Sequence, residues 1–441
     1  MNISSYFNEL QALANSLIKS GETYTLKFQG ETSDFCRFNN NKIRQAGHVA
    51  QHYLTVQLIK GKRHTSEVIT LSLQKEADVP QIKSSFQNLR QMIAVIPEDP
   101  YLLVAESTNQ SHQEDTRPST NREQAVSDIL TMGQGLDLTG IYAGGHLYRG
   151  FASSFGQCEW HETSNFNFDW SLFLKADQAV KIAYAGSDWN SESFRSKMDE
   201  GRRQLAILDQ PMKSLNPGKY RVFLSPTALS EVMSLISWNG FGIKSQRTKN
   251  SSLCELVEGQ QQLAGIVSLS EETGTSSPSF SLAGFAKPAK VELIKNGHYG
   301  GSLVSPSSAA EYNTETNGAD PSESPSNLVM ESGQLNTNEA IEKLDEGILI
   351  NNLWYLNYSD RHKCRITGMT RFATFWVEGG EIKQPVAVMR FDESLYRMLG
   401  QHLEGLTQDR ELLLSNSTYH QRSLDSMKLP GALINEFTLT L

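Results

Sequence analysis

Cysteine is scarce in this chain. The four cysteines, Cys36, Cys158, Cys254 and Cys364, are spread widely over 441 residues, and no two of them form a C-x-x-C pair. Zinc ribbons need such closely spaced pairs. Disulfide frameworks are typical of short, cysteine-rich secreted chains. The cysteine content therefore argues against both kinds of small domain and favours a reducing, cytoplasmic location.

Long apolar runs and an excess of basic residues are also missing. No stretch approaches the ~18 apolar residues of a membrane-spanning helix, so we expect no membrane interaction. The N-terminal residues lack the basic start and the A-x-A site of a secretory signal. Forty basic and 49 acidic residues give a net charge of -9. That balance is not the electrostatic footprint of a nucleic-acid binder, so no nucleic-acid partner is expected.

The order of the predicted elements favours an α+β fold. Helical periodicity predicts a first helix that ends at Gly21, and several strand patterns follow it. Asp78 is then predicted to open a second helix that runs to about Ala94. The regular βαβ alternation of a dinucleotide fold is not seen. We predict an N-terminal domain of helices and antiparallel sheet over residues 1–215, and a strand-rich C-terminal domain over residues 216–441.

Several later elements are predicted from periodicity. Phe166, Phe168 and Trp170 alternate with polar residues, which predicts a strand with one apolar face. Residues 191–208 and the segment that begins at Pro226 have the pattern of amphipathic helices.

Two polar segments are predicted to be loops. Residues 106–122 are expected to form a surface loop, and residues 305–326 a flexible loop inside the C-terminal domain. Near the end of the chain, Asp392 is predicted to open an amphipathic helix, DESLYRMLGQHLEGL. A final strand is predicted from Lys428 onward.

Few residue groupings in the sequence could carry catalysis. No G-x-S-x-G elbow, Walker A loop or known cysteine nucleophile frame occurs. The only His-Glu pair is His161-Glu162. A zincin helix needs a second histidine one turn further on, but Asn165 and Phe166 stand there, in a strand pattern. A metal role for His161 is therefore disfavoured.

The densest set of reactive side chains lies in residues 359–382, SDRHKCRITGMTRFATFWVEGGEI. Asp360, His362 and Cys364 alternate, so on a strand they would share one face. Such a face could form a three-ligand metal site with a reactive thiolate. A polar sheet face without any ligand explains the same pattern more simply, and we favour it.

The surrounding segment resembles the C-terminal signature of the TldD/PmbA family, whose PmbA branch is also called TldE. That signature is a Thr-Gly turn, an aromatic strand, a hairpin and then a helix. The matching residues are Thr367, Gly368, Trp376, Glu378, Gly380, Glu381, Ile382, Pro385 and Val386. Further segments match in the family's order, among them RFNNNKIRQ, FASSFGQCEWHET, GKYRVFLSPTALSEVMSLI and MKLPGALINEFTL. The resemblance spans nearly the whole chain.

The resemblance implies a metallopeptidase of two related subunits. In the TldD-type subunit, a helix carries His-Glu-x-x-x-His, and a late Gly-Thr-Cys-Gly supplies another zinc ligand. The zinc acidifies a water molecule and the glutamate acts as general base. The equivalent helix here, TALSEVMSLISWNG, has no histidine, and its lone acid, Glu231, is interpreted as a helix-surface carboxylate. The late segment SNSTYHQRSLDSMKLPG has no cysteine. The chain therefore resembles the TldE-type subunit.

These departures predict a non-catalytic subunit without catalytic residues or a cofactor of its own. Zinc is expected in a TldD-like partner, although a self-dimer stays open, and the substrate is expected to be an unfolded peptide added as a strand to an exposed sheet edge. Thr370 and Arg371 are predicted peptide contacts. One alternative is a self-contained peptidase with a metal at His362, Cys364 and His161. Another is a stand-alone regulatory or binding protein, in line with the family's older association with DNA gyrase.

Overall fold

The computed structural model describes residues 2–117, 121–274 and 277–441. Helices and strands mix in the first half of the chain. In order they are α1 (Ile3–Leu17), β1 (Thr23–Asn39), β2 (Lys42–Lys60), β3 (Arg63–Leu71), α2 (Lys75–Ile93), β4 (Gln110–Gln113), α3 (Arg122–Met132), β5 (Asp137–Ser153), β6 (Cys158–Lys175), β7 (Gln178–Gly186) and α4 (Ser191–Leu208).

The strands of this half form one sheet in the order β3-β2-β1-β5-β6, with β4 and β7 both paired to β6 along different parts of its length. All neighbours are antiparallel except β4, which runs parallel to β6. Strands β1, β2, β5 and β6 are each at least 17 residues long. The sheet is therefore long enough for different helices to cover different parts of one face.

Helices cover one face of this sheet from end to end. Side chains of a strand alternate between two faces, so the even-numbered apolar residues of β1 share a face. Leu26 and Phe28 pack there against α1 and α2 residues such as Phe7 and Phe86. Further along, Phe168 and its neighbours pack against α3 and α4. The opposite, mainly polar face is turned toward the second half of the chain.

Short helices and many strands make up the second half. In order they are β8 (Gly218–Leu224), α5 (Pro226–Ser237), α6 (Ile243–Arg247), α7 (Cys254–Val257), β9 (Leu269–Glu272), β10 (Lys290–Lys295), β11 (His298–Tyr299), α8 (Pro306–Tyr312), β12 (Asn327–Met330), a 3-10 turn (Thr337–Glu339), α9 (Ala340–Leu344), β13 (Gly347–Asp360), β14 (Arg365–Glu378), β15 (Glu381–Pro385), β16 (Arg390–Ser394), a π-helical turn (Arg397–Gln401), β17 (Leu403–Leu414) and β18 (Ser426–Leu439).

Five of these strands close into a ring. The pairing order β18-β16-β14-β13-β8 is closed because β8 pairs with β13 on one side and with β18 on the other. Helix α5 follows β8 directly and buries Leu229, Val232 and Ile236 in the main core of this half. This packing leaves the opposite side of α5 free to face the first sheet.

A separate apolar cluster joins the two halves. Val180 of β7 and Leu208 of α4 pack with Phe223, Leu349 and Phe375 of the second half. This cluster holds the polar face of the first sheet against α5 and the loops of the second half. The proposed boundary near residue 215 stays a prediction.

The predicted α+β fold is confirmed, with an antiparallel sheet and helices in the first part and a larger sheet in the second. Helix α4 covers residues 191–208 as predicted, and α5 begins at Pro226. Within the described residues, no helix has the length and apolar character needed to cross a membrane.

The helix predicted from Asp392 is wrong. Residues 390–394 form strand β16, a single π-helical turn follows, and β17 begins at Leu403. Glu393, only 1% exposed, accepts hydrogen bonds from the backbone N–H (3.1 Å) and hydroxyl (2.7 Å) of Thr438. Arg365 of β14 pairs with Asp392. Long-range pairing with β14 and β18 therefore overrides the local helical pattern.

The Thr-Gly turn expected at Thr367-Gly368 is also wrong, because both residues lie inside β14. Gly368 is opposite Phe391 of β16, and a Cβ atom at Gly368 would come within 2.7 Å of the Phe391 ring. The glycine here allows close approach of a neighbouring aromatic side chain and does not make a turn.

The two predicted loops contain regular structure. Residues 106–122 include β4, which pairs with β6, and part of that range lies outside the described residues. Residues 305–326 begin with helix α8, and the hydroxyl and N–H of Ser305 both bond the buried Glu323 at 2.9 Å. The flexibility of this second segment stays a prediction.

Asp78 links α1, α2 and the end of β3. Helix α2 begins at Lys75, three residues before the predicted start, and the fully buried Asp78 lies in its first turn. Its carboxylate accepts hydrogen bonds from the N–H and hydroxyl of Ser72, the N–H of Leu73 and the phenol of Tyr6, at 2.7–2.9 Å. Burial and this bond to Asp78 raise the pKa of Tyr6.

Replacement of Asp78 by alanine is expected to lower the free energy of unfolding by about 3–5 kcal/mol, because four donors lose their buried, charged acceptor. Chemical denaturation followed by circular dichroism would measure this change. Glu76→Ala is the matched control on the exposed side of the same turn, with an expected change within about 0.5 kcal/mol. Equal effects of the two substitutions would contradict the role assigned to Asp78.

Candidate functional site

A groove runs between the polar face of the first sheet and helix α5. It consists of two connected cavities of about 700 Å³ and 410 Å³, which share Asn167, Asp169, Ser415 and Asn416. We call it the interdomain groove. Each of the two cavities alone has the size of a small-molecule pocket, and together they form a longer surface.

The first sheet contributes alternate residues of β1, β5 and β6. Asp169 lies directly across from Ile141, which in turn lies across from Arg37. These three residues form one row across the sheet. Polar neighbours extend the surface on either side, namely Asn39, Thr139, Asn167 and Ser171. Their positions follow from the strand alternation that buries Phe168 and Trp170 on the other face.

Helix α5 forms the facing wall. Ser225 caps its first turn by accepting a hydrogen bond from the N–H of Ala228, and Pro226 occupies the position where a missing N–H costs nothing. Because the inner stripe is buried in the core, the outer stripe faces the groove. This outer stripe consists of Thr227, Ser230, Glu231, Ser234 and Trp238.

Two carboxylates and one amine meet near α5. Lys181 Nζ of β7 lies 3.8 Å from Asp169 Oδ2. Burial raises the pKa of Asp169 above its ordinary value, and Lys181 only partly opposes this. Burial also raises the pKa of Glu231, and the nearby charge of Asp169 adds to the increase. The wall near α5 is therefore acidic and partly desolvated.

Arginines line the opposite end of the groove. Arg37 and Arg44 are both exposed, and neither forms an ion pair with another described residue. Neutral amides and hydroxyls fill most of the surface between the arginines and the carboxylates. Such groups can bond the main chain of an extended peptide without regard to its side chains.

His161 does not line the groove, and it belongs to no cluster of three or more possible metal ligands among the described residues. It lies on β6 with 1% exposure, directly across from Arg149 on β5. Glu162 points to the opposite face, where its Oε1 lies 2.8 Å from His146 Nδ1. The His-Glu pair is therefore divided between two faces of the sheet, as the strand pattern predicted.

Asp360, His362 and Cys364 do not share a strand face, and that prediction is wrong. Residues 361–364 form the turn between β13 and β14. His362 is exposed, whereas Cys364 is fully buried with a left-handed φ of 43°. Burial raises the pKa of the Cys364 thiol to about 12, so it does not behave as a reactive thiolate.

The predicted peptide contacts Thr370 and Arg371 have structural partners. Thr370 is buried, and its hydroxyl accepts a 3.0 Å hydrogen bond from the N–H of Met389. The Arg371 guanidinium lies over the half-exposed Trp354 ring, 4.4 Å from its centroid. Neither residue lines the interdomain groove. Their role in peptide binding stays a prediction.

The sequence did not single out three groove residues, Asp169, Lys181 and Trp238. It drew attention to Glu231 but did not indicate that this residue lines the groove. A signal for Asp169 was available, since it is one of the polar residues that alternate with Phe168 and Trp170. Glu231 was interpreted as an ordinary helix-surface carboxylate, but it is half-buried and faces Asp169 and Lys181. The sequence alone does not show this position of Glu231, because it depends on how α5 packs against the first sheet.

Comparison with known proteins supports the family resemblance. The model of the PmbA/TldA metallopeptidase C-terminal domain matches residues 217–441, which is slightly more than half of the chain. The chain belongs to the PmbA/TldD family. A search of curated proteins found no match.

Solved structures of similar fold extend over the whole PmbA/TldD chain. TldE from Thermococcus kodakarensis has a TM-score of 0.78 at 14% identity and covers 99% of this chain and 100% of its own. A proposed modulator of a DNA gyrase from Thermotoga maritima has a TM-score of 0.77, with the same identity and coverage. A proposed modulator of DNA gyrase from Bacteroides thetaiotaomicron has a TM-score of 0.73 at 14% identity, covering 99% of this chain and 98% of its own. At these identities the likeness concerns the fold.

The side chains that α5 presents do not fit a catalytic zinc site. Protein zinc is held mainly by histidine nitrogen and cysteine sulfur, with carboxylates as additional ligands. The outer stripe of α5 instead offers hydroxyls, the Glu231 carboxylate and an indole. In the three described ranges, no group of three or more His, Cys, Asp or Glu residues is arranged to hold a metal ion. We therefore derive no chemical step through a metal in this chain.

Replacement of Glu231 by glutamine is expected to raise the melting temperature by about 1–3 °C near pH 7. The raised pKa means that the charged form is disfavoured in the folded protein, so ionisation of Glu231 lowers stability. The gain should shrink as the pH falls toward the ordinary value of 4.5, because both states are then protonated. Thermal melts at several pH values would measure it.

Glu192→Gln on the exposed first turn of α4 is the matched control and should not raise the melting temperature at any pH of the same range, because the helix dipole favours a charged carboxylate there. A lower melting temperature for Glu231→Gln at pH 7 would show that the groove stabilises the charged Glu231 carboxylate and would contradict this expectation.

Proposed function

We propose that this chain is a non-catalytic, TldE-like subunit that pairs with a zinc-bearing, TldD-like metallopeptidase subunit. The observation that carries the proposal is the outer stripe of α5, which faces the groove with hydroxyls and one carboxylate and no nitrogen or sulfur ligand. The fold does not depend on a metal there, since the inner stripe of α5 is anchored by apolar packing. A subunit of this kind can keep its groove while its partner supplies the catalytic zinc.

The interdomain groove is proposed to bind unfolded peptide. Its two adjoining cavities, of about 700 Å³ and 410 Å³, have the volume to hold several residues of a peptide. Amide groups of Asn167 and Asn416 lie where the cavities meet and can both donate to and accept from a peptide main chain. Main-chain recognition of this sort suits a subunit that handles chains of varied sequence.

Among the described strands, β2 has a sheet edge beside the groove on which a peptide could add as a strand. Strand β3 pairs only with His52–Lys60 of β2. Residues 42–51 of β2 extend beyond it, and Arg44 and Gln45 of that stretch line the groove. We propose that extended peptide enters along this edge, where unpaired backbone groups can accept a further strand.

Elemental analysis of the purified chain after mild dialysis is expected to show far less than one zinc per chain. Alone, the chain should not cleave an unstructured peptide. Addition of a TldD-like chain with an intact His-Glu-x-x-x-His motif should produce cleavage that a chelator abolishes, because the zinc ligands come from that chain.

Near-stoichiometric zinc with chelator-sensitive cleavage by the single chain would overturn the proposal. In that event His362→Ala and Cys364→Ala would be the first variants to assay, as the self-contained peptidase hypothesis requires.

Replacement of Ser234 by tryptophan is expected to weaken binding of a fluorescent unstructured peptide by about tenfold, because a bulky ring would fill the groove beside α5. Fluorescence anisotropy with the assembled two-subunit complex would measure the affinity. Ser193→Trp places the same ring on the exposed surface of α4 and is the matched control. Unchanged affinity for Ser234→Trp would exclude this part of the groove as the peptide path.

A further inference from the structure

A second, smaller cavity lies between the two halves of the chain. It has a volume of about 260 Å³. Gln29 and Arg149 of the first sheet form one side, and Lys287, Asp320 and Asp425 lie on the other. We call it the interface cavity. Arg422 and Asp425 also line the interdomain groove, but none of the α5 residues lines the interface cavity.

Arg149 is a buried cation whose donors are mostly unused. It is 8% exposed and lies on β5, directly opposite Gln29 of the neighbouring strand β1. A guanidinium has five N–H donors. The bond identified for Arg149 is a 2.8 Å contact from Nη1 to the carbonyl oxygen of the adjacent Tyr148. Among the described residues no carboxylate forms an ion pair with it.

Arg422 provides an internal comparison, because it is buried to a similar degree at 5% exposure. Its Nη1 donates to the hydroxyl of Ser33 (3.4 Å) and the carbonyl of Gly145 (3.3 Å). Its Nη2 donates to the carbonyl and side-chain oxygens of Asn165. The protein therefore surrounds Arg422 with hydrogen-bond acceptors, whereas Arg149 has one such bond and lines the cavity, where the charges of Asp425 and Asp320 are near it but make no ion pair with it.

The opposite wall carries charges of both signs that make no direct ion pair. Lys287, Asp320 and Asp425 line the cavity, and within the described chain none of them forms an ion pair with a partner inside 4.0 Å. Burial raises the pKa of Asp425 and Asp320 adds to the increase, while a hydrogen bond from Ser423 and the positive charges of Arg149 and Lys287 only partly oppose it. Buried charges are costly unless a partner compensates them.

We propose that the interface cavity binds a small zwitterion, a free α-amino acid or a short peptide with both ends unblocked. The ligand carboxylate pairs with Arg149, whose planar guanidinium suits two parallel hydrogen bonds. The ligand ammonium faces Asp320 and Asp425. A cavity of this volume restricts the ligand to a few residues at most.

This inference does not depend on the proposed non-catalytic role, because the interface cavity shares no residue with α5. A bound zwitterion would bridge the first sheet and the loops of the second half. Binding to the folded state alone would raise the melting temperature with ligand concentration.

The test uses the full chain and four probes, L-alanine, dialanine, N-acetyl-L-alanine and L-alaninamide. Calorimetric titration should detect alanine or dialanine, and removal of either charge should weaken binding by about tenfold, since one wall then loses its partner. Tighter binding of dialanine than of alanine would identify peptides as the source of the ligand, and the reverse order would identify free amino acids.

Two variants test the two walls separately. Arg149→Gln should abolish the remaining affinity for N-acetyl-L-alanine, and Asp425→Asn the remaining affinity for L-alaninamide. Arg203→Gln, an exposed arginine on α4, is the matched control and should bind as the unaltered chain does. If Arg149→Gln fails to fold, Asp425→Asn and the blocked probes still decide the question.

Three results would overturn the proposal: no response to alanine or dialanine, equal binding of blocked and unblocked probes, or unchanged binding by Arg149→Gln. Peptide cleavage by the two-subunit complex is a separate measurement. Its failure would bear on the proposed function and leave the interface cavity untouched.

Discussion

The two-faced character of the first sheet is the constraint on which the other features depend. Alternate side chains of each long strand lie on opposite faces of the sheet. The register of a strand therefore decides which residues lie on the apolar face and which lie on the polar face. The apolar face is covered by α1 to α4, and the polar face is left to meet the second half of the chain. Both the interdomain groove and the interface cavity use side chains of that polar face. A one-residue slip of β5 or β6 would destroy the core and both cavities together.

The ring of strands in the second half has a complementary role. Because β8 is held between β13 and β18, the helix that follows it has a fixed position and direction. The inner stripe of α5 is anchored in the core, and its outer stripe becomes a wall of the groove. The position of α5 is therefore set by strand pairing and apolar packing.

Burial of charge distinguishes the contact between the halves from an ordinary domain core. Apolar packing of Val180 and Phe375 holds the halves together in one region. Elsewhere the contact includes Arg149, Arg422, Asp425 and other polar groups. Arg422 is surrounded by hydrogen-bond acceptors, whereas Arg149 has one such bond and no direct ion pair. Buried charge without a direct partner is costly, and it is the feature on which the proposed zwitterion site depends.

Local periodicity was sufficient for much of the secondary structure, and the order of short matching motifs indicated the family. The alternation of Phe166, Phe168 and Trp170 and the helix over residues 191–208 depend on neighbours in sequence, and the structure agrees with both. Long-range contacts decided the rest. The segment at Asp392 has a helical pattern but pairs with β14 and β18, and Cys364 turns inward where a strand would have kept it beside His362. The groove and the interface cavity join residues from distant parts of the chain. The pKa values and interactions of their charged side chains change only when folding removes water from around them.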